Sequence, residues 1–436
     1  DLTGVPRLEE ALARIGAWSE KLPAEAWVIG AGWYNDAWPD HAFPNRAQLD
    51  RAAGGRPAYL RRKDGHSAWV SSAALQLAGI ARGTQDPPGG AIDRDKRGDA
   101  TGILRETAME MVAVRVPRPN EAQLDEAMAK ALSELAALGL TGVHSMDTAR
   151  GFGSWQRLRA RGALPLRITY NLPLADLTHA ERMGVRSGWG DEWIRIWGVK
   201  AFLDGSLGSR TAEMLDGSGT ARLPQADLVD LVARCARAGL NVCLHAIGDG
   251  AVRRALDALA PHRGAWRGWR PRIEHAQSVS PRDMKRFARF GVIASMQPIH
   301  AVADRELVDR FWPKLAGQSY AWGALERAGA RLAFGSDAPV EVADPLAGIE
   351  AATGWRRKTR WIPELAVSRT TALRAYTSGA AYAVGMEREA GTLRPGKLCD
   401  ITVVDEGRVV ATVVGGRVSF LRKPPGASRR SASKPR

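Results

Sequence analysis

Cysteine is scarce in this chain. The 436 residues include only three, at positions 235, 243 and 399, and this small odd number excludes a disulfide framework. We therefore expect a reducing, cytoplasmic environment. No apolar run reaches the roughly 18 residues that a membrane-spanning helix needs. Residues 1–6 have neither the basic start nor the apolar core of a signal peptide, and the missing initiator Met fits a mature, trimmed or fragmentary chain.

Nucleotide-binding and nucleic-acid-binding motifs are also missing. No G-x-G-x-x-G turn or P-loop follows a strand, so the sequence does not indicate a nucleotide fold. The net charge of +15 comes mainly from Arg residues spread along the whole chain, with a concentrated share near the C-terminus. Without a nucleic-acid motif, we interpret this charge as an Arg-rich surface plus a basic disordered tail at residues 421–436. We expect neither nucleic acid nor a membrane as a partner.

A pattern that recurs four times is the strongest signal present. Each unit has an amphipathic helix, a Gly near its end, a short apolar strand and then polar residues. The glycines with the polar residues that follow them are Gly139 with His144 and Asp147, Gly239 with His245, Gly291 with Gln297 and His300, and Gly329 with Ser336 and Asp337. Two more apolar strands, at 194–200 and 271–275, fit the series. Such alternation is typical of a parallel sheet covered by helices.

These units predict an α/β fold, a (β/α)8 TIM barrel over residues 1–385. An open doubly wound sheet would share the local pattern, but the absent nucleotide motifs favour the barrel. A Gly-, Pro- and Asp-rich stretch at 83–102 predicts a loop or small insertion over the barrel mouth. Residues 386–420 predict a small β-segment, with strands near 401–404, 410–414 and 418–420.

Four strand ends carry the residue types that bind divalent metal ions. These are Lys200, His245, His275 and Asp337. Taken singly, a His after a strand can be a structural hydrogen-bonding residue and an Asp can be a helix cap. Lys200 is harder to explain this way, because burying an ammonium without a partner is costly. Together, at the ends of successive barrel strands, they predict a metal site.

Several segments resemble one known family. They are residues 61–70, 198–212, 245–249, 272–277, 296–301, 334–340 and 391–400. In this order they are similar to amidohydrolase family 3, the YtcJ-like branch of the amidohydrolase superfamily, which includes N-substituted formamide deformylases. The resemblance extends from residue 1 to about residue 420.

The resemblance implies a divalent metal, expected to be zinc, as one or two ions. Lys200, carboxylated on its side-chain nitrogen, His245 and His275 are then ligands, and Asp337 is a ligand that also carries the proton. His300 or His66 would stabilise the oxyanion, although either can equally be a loop or supporting residue. Asp204, Arg210 and Trp69 are expected to bind substrate, with a structural role for Asp204 and Arg210 equally open.

The family also has a His-x-His pair on the first barrel strand, and no His-x-His occurs in the 436 residues. We therefore expect a barrel whose first strand is missing, a remnant of the β-sandwich domain that accompanies it, and weaker metal binding than in a complete relative. The expected activity is hydrolysis of a non-peptide carbon–nitrogen bond in a small amide-type substrate.

Two other functions stay open at this point. In one, Lys200 forms a Schiff base in a metal-free barrel lyase. In the other, the chain is an inactive truncated barrel that acts as a binding protein. The substrate and the oligomeric state, including a homo-oligomer, are not decided by the sequence.

Overall fold

A computed structural model describes residues 1–423. The strands are β1 (Val28–Trp33), β2 (Ala58–Arg62), β3 (Ser67–Val70), β4 (Gly90–Arg94), β5 (Ala100–Glu106), β6 (Gly142–Ser145), β7 (Arg167–Pro173), β8 (Ile194–Phe202), β9 (Asn241–Ala246), β10 (Arg272–His275), β11 (Ile293–Met296), β12 (Arg331–Phe334), β13 (Ile401–Asp405), β14 (Arg408–Val414) and β15 (Arg417–Leu421). The α-helices are α1 (Leu8–Ser19), α2 (Arg46–Ala52), α3 (Ser72–Leu77), α4 (Ala108–Ala113), α5 (Glu121–Ala137), α6 (Ala149–Ala160), α7 (Leu177–Arg182), α8 (Gln225–Ala238), α9 (Asp249–Leu259), α10 (Pro281–Phe290), α11 (His300–Phe311), α12 (Trp322–Arg327), α13 (Pro345–Glu350), α14 (Arg356–Thr359), α15 (Arg369–Arg374) and α16 (Ala380–Ala383).

The central sheet has seven parallel strands, and each strand pairs with its neighbour in the sequence, from β6 to β12. Residues of both outer strands, Val143 on β6 and Phe334 on β12, line the same cavity, so the sheet curls around it. The predicted parallel α/β architecture is therefore confirmed. Strand β7 is the one that the periodicity did not predict, because polar Thr169 and Asn171 interrupt its apolar run.

Helices α5, α8, α10 and α12 lie before the four glycines at which the sequence predicts helix ends. Gly239 and Gly291 directly follow α8 and α10, both in the left-handed conformation that Gly adopts without a Cβ clash. Pro281, at the start of α10, costs no hydrogen bond there. The apolar faces of these helices, represented by Leu228 and Phe287, are completely buried against the strands. This packing fixes the strand ends that carry the candidate ligands.

The N-terminal part forms a sheet of its own instead of barrel strands. Strands β1 to β5 make a mixed five-stranded sheet in the order β1-β2-β3-β5-β4. Its core is rich in aromatic residues, with Trp33, Trp38 and Trp69 almost fully buried. The stretch 83–102, expected as a loop or small insertion, instead contributes most of the antiparallel pair β4 and β5. The Gly and Pro residues of this stretch lie largely in the turns, which concealed two short strands.

The C-terminal segment is a three-stranded antiparallel sheet in the order β13-β14-β15, and all three strands were predicted. It packs on α5, where the Thr412 hydroxyl donates to the Ala136 carbonyl at 2.7 Å. Arg167, on β7, also reaches Asp400 at 2.7 Å. Nearly all of the predicted tail at 421–436 lies outside the described residues. Among residues 1–423, none of the helices is both long enough and apolar enough to cross a membrane.

Candidate metal site

A cavity of about 800 Å³ lies at the carboxyl ends of the parallel strands. Six of the predicted site residues line it: His66, Lys200, His245, His275, His300 and Asp337. Because the strands run parallel, residues at their carboxyl ends meet at one side of the sheet although they are far apart in sequence. The structure therefore brings all four predicted ligands to one cavity.

Lys200 is buried near the end of β8. Within residues 1–423 its ammonium has no hydrogen-bond acceptor and no carboxylate within ion-pair distance, and Nζ instead lies 4.7 Å from the centre of the Phe202 ring. Burial lowers the pKa of Lys200 below its ordinary value, although the charges of Glu274 and Asp337 oppose this shift. The site therefore favours the neutral amine more than water does.

His245 and His275 come from the adjacent strands β9 and β10, and their ring centres lie 4.5 Å apart. His245 Nε2 is 3.0 Å from the Gly205 carbonyl oxygen, and His275 Nδ1 is 2.8 Å from Oε1 of Gln297. In each ring, one nitrogen is therefore hydrogen-bonded to a protein oxygen, and the other makes no hydrogen bond within residues 1–423. Burial lowers the pKa of both rings well below the ordinary value, which keeps them neutral.

Asp337 follows β12 and has a left-handed backbone, with φ of 59°. Its pKa is raised by burial, against the lowering influence of His300 and Lys200. His300 begins α11, with its ring centre 6.1 Å from that of His275 and its Nε2 3.1 Å from the Ser336 carbonyl oxygen. Asp337 thus shares the cavity with the other candidates, but residues 1–423 contain no group of three or more His, Cys, Asp and Glu side chains close enough to hold a metal ion.

The donors that are present nevertheless fit a divalent ion. Two neutral imidazoles, each oriented by a hydrogen bond from its other nitrogen, make the arrangement that metal-binding histidines use. Lys200, buried beside them without an anionic partner, becomes an anionic oxygen donor when its nitrogen is carboxylated. A carboxylated Lys200 would thus be a third donor beside His245 and His275.

His66 reaches the same cavity from the N-terminal sheet. Its ring centre lies 5.4 Å from that of His245. Its Nδ1 lies 3.0 Å from Oε2 of Glu106, a carboxylate that also forms an ion pair with Arg222 at 3.1 Å. Burial lowers the pKa of His66, but the Glu106 carboxylate outweighs this and raises it above the ordinary value.

None of the three predicted substrate-binding residues lines the cavity, although the Asp204 carboxylate lies 3.6 Å from Nε2 of His245. Trp69 is fully buried against Trp33, because the strand alternation of β3 turns it into the core of the N-terminal sheet. Asp204 accepts backbone N–H groups of Glu213, Ile247 and Gly248 at 2.8–3.0 Å. These contacts order the loop after β8, which is the structural role that the sequence left open for Asp204.

Arg210 also lies away from the cavity. Its side chain is exposed and its guanidinium covers the ring of Phe311 at 4.5 Å. Phe202, which is 42% exposed, and Arg222 are among the cavity-lining residues that the sequence did not predict as site residues. Phe202 could have been found, since it lies two residues after Lys200 and therefore on the same face of β8. Glu106 and Arg222 gave no such signal, because their neighbours come from distant parts of the sequence.

Comparison with known proteins agrees with this geometry. A family model described as "Amidohydrolase family" matches residues 1–420. The chain is 32% identical to Protein LONG AFTER FAR-RED 3 of Arabidopsis thaliana, over 95% of this chain and 78% of that protein. It is 30% identical to the putative amidohydrolase YtcJ of Bacillus subtilis strain 168, over 93% and 79%. Identity to the N-substituted formamide deformylase of Arthrobacter pascens is 27%, over 92% and 78%.

Solved structures give the same result. An uncharacterised metal-dependent hydrolase from Pyrococcus furiosus superposes with a TM-score of 0.68 at 30% identity, covering 91% of this chain and 80% of that one. A second, from Pyrococcus horikoshii OT3, has a TM-score of 0.72 at 26% identity, covering 91% and 79%. The sequence, the parallel sheet and the strand-end residues lead to one conclusion: this chain belongs to the amidohydrolase family.

Proposed function

We propose that this protein is a metal-dependent hydrolase that cleaves a non-peptide carbon–nitrogen bond of a small amide-type substrate. The observation that carries the proposal is the buried Lys200, without an anionic partner, beside the paired rings of His245 and His275. A buried ammonium is costly without an anionic partner, so burial favours release of its proton. Carboxylation of the amine would give a carbamate anion whose charge a bound divalent cation would compensate, and zinc suits the imidazole donors.

The ligands follow from this arrangement. His245 and His275 would bind through the ring nitrogens that make no hydrogen bond within residues 1–423. The neutral amine of Lys200 would add to carbon dioxide, forming a nitrogen–carbon bond and releasing one proton, and the resulting carbamate oxygens would complete the set. A bound divalent ion would lower the pKa of water toward neutrality and polarise a substrate carbonyl.

Asp337 would move the proton. Its pKa is raised by burial, which brings a carboxylate closer to the range in which it can both accept and return a proton. It would take the proton of the attacking water and deliver it to the departing nitrogen. His66 and His300 border the same cavity, and either ring, when both of its nitrogens are protonated, would donate a hydrogen bond to the developing oxyanion.

The substrate class follows from the chemistry and one relative. The Arthrobacter pascens protein is named an N-substituted formamide deformylase. The ring of Phe202 offers an apolar wall beside Lys200 that suits an apolar nitrogen substituent. We therefore propose N-phenylformamide, which yields formate and aniline, as the first substrate to test.

Carbon-13 NMR tests the metal chemistry independently of turnover. The chain is incubated with zinc and ¹³C-bicarbonate, and we expect a carbamate carbon signal together with bound zinc. The matched control is Lys200→Arg, which keeps a positive charge but cannot form the carbamate. Absence of both the carbamate and bound zinc would contradict the proposal, as would borohydride trapping of a carbonyl compound on Lys200 in zinc-free protein.

A further inference from the structure

The Glu106 side chain occupies a closed cradle between the N-terminal sheet and the barrel. Its carboxylate is within hydrogen-bond distance of His66 Nδ1 at 3.0 Å, accepts from the Thr211 hydroxyl at 2.7 Å and pairs with Arg222 at 3.1 Å. The side chain is 2% exposed. A buried carboxylate needs several such partners, and these come from three separate parts of the chain.

Two backbone features show that this placement is built into the fold. Glu106 has φ of 52°, a left-handed conformation that residues other than Gly rarely adopt. Its backbone N–H also donates to the His66 carbonyl at 3.1 Å, so main chain and side chain both join the two residues. A Cβ on Gly205 would lie 2.4 Å from Oε1 of Glu106, so the carboxylate approaches a position where only Gly fits.

Residues around the Glu106 carboxylate also lie close to a candidate metal ligand, His245. The Gly205 carbonyl, beside the Glu106 carboxylate, lies 3.0 Å from Nε2 of His245. The ring of His66 lies 5.4 Å from the ring of His245, centre to centre. With Nδ1 of His66 occupied by Glu106, Nε2 is the ring nitrogen left for the cavity, and it makes no hydrogen bond to residues 1–423.

We propose that Glu106 is a positioning residue that accepts a hydrogen bond from Nδ1–H of His66 and thereby directs the Nε2 atom of that ring toward the substrate carbonyl. This inference rests on the proposed hydrolytic function for its kinetic consequence, but not for the state of the ring. A carboxylate that fixes the ring of a histidine by a hydrogen bond to one nitrogen controls what the other nitrogen can do. The N-terminal sheet thereby supplies an oriented side chain to a site whose ligands all come from the barrel.

Nitrogen-15 NMR of histidine-labelled protein, without metal, tests the ring state directly. His66→Gln assigns the His66 signals, and exposed His41 serves as an internal reference. In the unmodified chain we expect Nδ1 of His66 to carry the proton. In Glu106→Gln, which keeps the size but removes the charge, both His66 nitrogen signals should shift toward a mixture of ring states. Thr211→Val, which removes a different contact of the same carboxylate, should leave them unchanged.

Kinetics with zinc and N-phenylformamide then separate positioning from mere support of the fold. We expect Glu106→Gln to lower kcat by about 100-fold with KM changed less than about threefold. His66→Gln should lose about as much, and the double variant should lose no more than either single variant. Thr211→Val should keep kcat within about threefold of the unmodified chain.

The outcomes distinguish this inference from the proposed function. Unshifted His66 signals in Glu106→Gln overturn the inference, and so do losses that multiply in the double variant. If the signals shift but the unmodified chain hydrolyses neither N-phenylformamide nor other N-substituted formamides, the ring contact stands and the proposed substrate class fails.

Discussion

The two sheets that border the cavity contribute to it in different ways. The seven-stranded parallel sheet carries Lys200, His245, His275 and Asp337 at or just after its strand ends. The five-stranded N-terminal sheet supplies none of the candidate ligands, but it places His66 opposite them. The candidate ligands thus lie on elements with regular repeats, whereas His66 lies on an irregular addition.

The two sheets also differ in how they compensate buried charge. On the barrel side, Lys200 is left without an anionic partner among residues 1–423. On the N-terminal side, fully buried Arg62 pairs with Asp36 and, at 2.6 Å, with Asp64. A buried charge without a partner, as at Lys200, is typical of a ligand-binding site. A buried charge paired with two carboxylates, as at Arg62, is typical of a structural network. The predictions that follow test this contrast.

The largest effect is expected at Asp337, on the barrel side. Asp337→Asn removes the proton carrier and should lower kcat for N-phenylformamide by about 1000-fold, within the range for loss of a general base. Asp147→Asn changes a carboxylate at the opposite edge of the same cavity and should cost less than tenfold. Comparable losses in the two variants, measured by formate release, would show that cavity charge rather than proton transfer is what matters.

On the N-terminal side the largest effect should be on stability. Arg62→Met leaves Asp36 and Asp64 without their buried partner and should lower the free energy of unfolding by about 3–5 kcal/mol in urea titrations. Zinc affinity under native conditions should stay the same, because Arg62 is not a candidate ligand. A loss below about 1 kcal/mol would mean that the network is not the structural element described above.

Acid should weaken the same network. Burial alone would raise the pKa of Asp64, but the charges of Arg62 and His66 lower it below its ordinary value, to about 2. A lowered pKa stabilises the folded protein above the unfolded pKa, and this contribution disappears as the pH falls from about 4 to about 2. In Asp64→Asn the stability should therefore fall less steeply over that pH range, by about 2 kcal/mol in total. An unchanged slope in acid unfolding would contradict this assignment.

The smallest effect is expected where the two sheets meet. Lys63 of the N-terminal part and Glu341 of the loop after β12 form an ion pair at 2.5 Å, with their side chains 21% and 13% exposed. Lys63→Gln should lower the free energy of unfolding by about 0.5–1 kcal/mol, with a smaller difference at high salt. A salt-independent loss of several kcal/mol would show that this contact holds the two sheets together.

The contrast between the sheets also explains what the sequence could predict. The barrel strands recur with a fixed pattern of helix, Gly and apolar strand, so the positions of His245, His275 and Asp337 followed from periodicity. The N-terminal sheet has no repeat, and its strands pair out of chain order. Its contact between His66 and Glu106 joins residues 40 positions apart, which periodicity cannot show.

Trp69 was expected to bind substrate, and its actual position could not be predicted for a related reason. Trp69 lies in a segment that resembles the family, yet the direction of a side chain on a strand depends on register, and here it points into the core. Asp204 and Arg210 follow a predicted ligand closely in sequence, but the cavity is lined by Ser206, Leu207 and Gly208 of the same loop and not by these two side chains. Proximity in sequence to Lys200 therefore identified the loop but not the role of each side chain.

Calorimetric titration of the metal-free chain with zinc, in bicarbonate buffer, tests the central claim most directly. The account predicts saturable zinc binding that is lost in His275→Ala and in Lys200→Arg but is retained in Glu106→Gln. Zinc binding that is absent from the unmodified chain, or equally strong in His275→Ala and Lys200→Arg, would contradict a metal site at these strand ends.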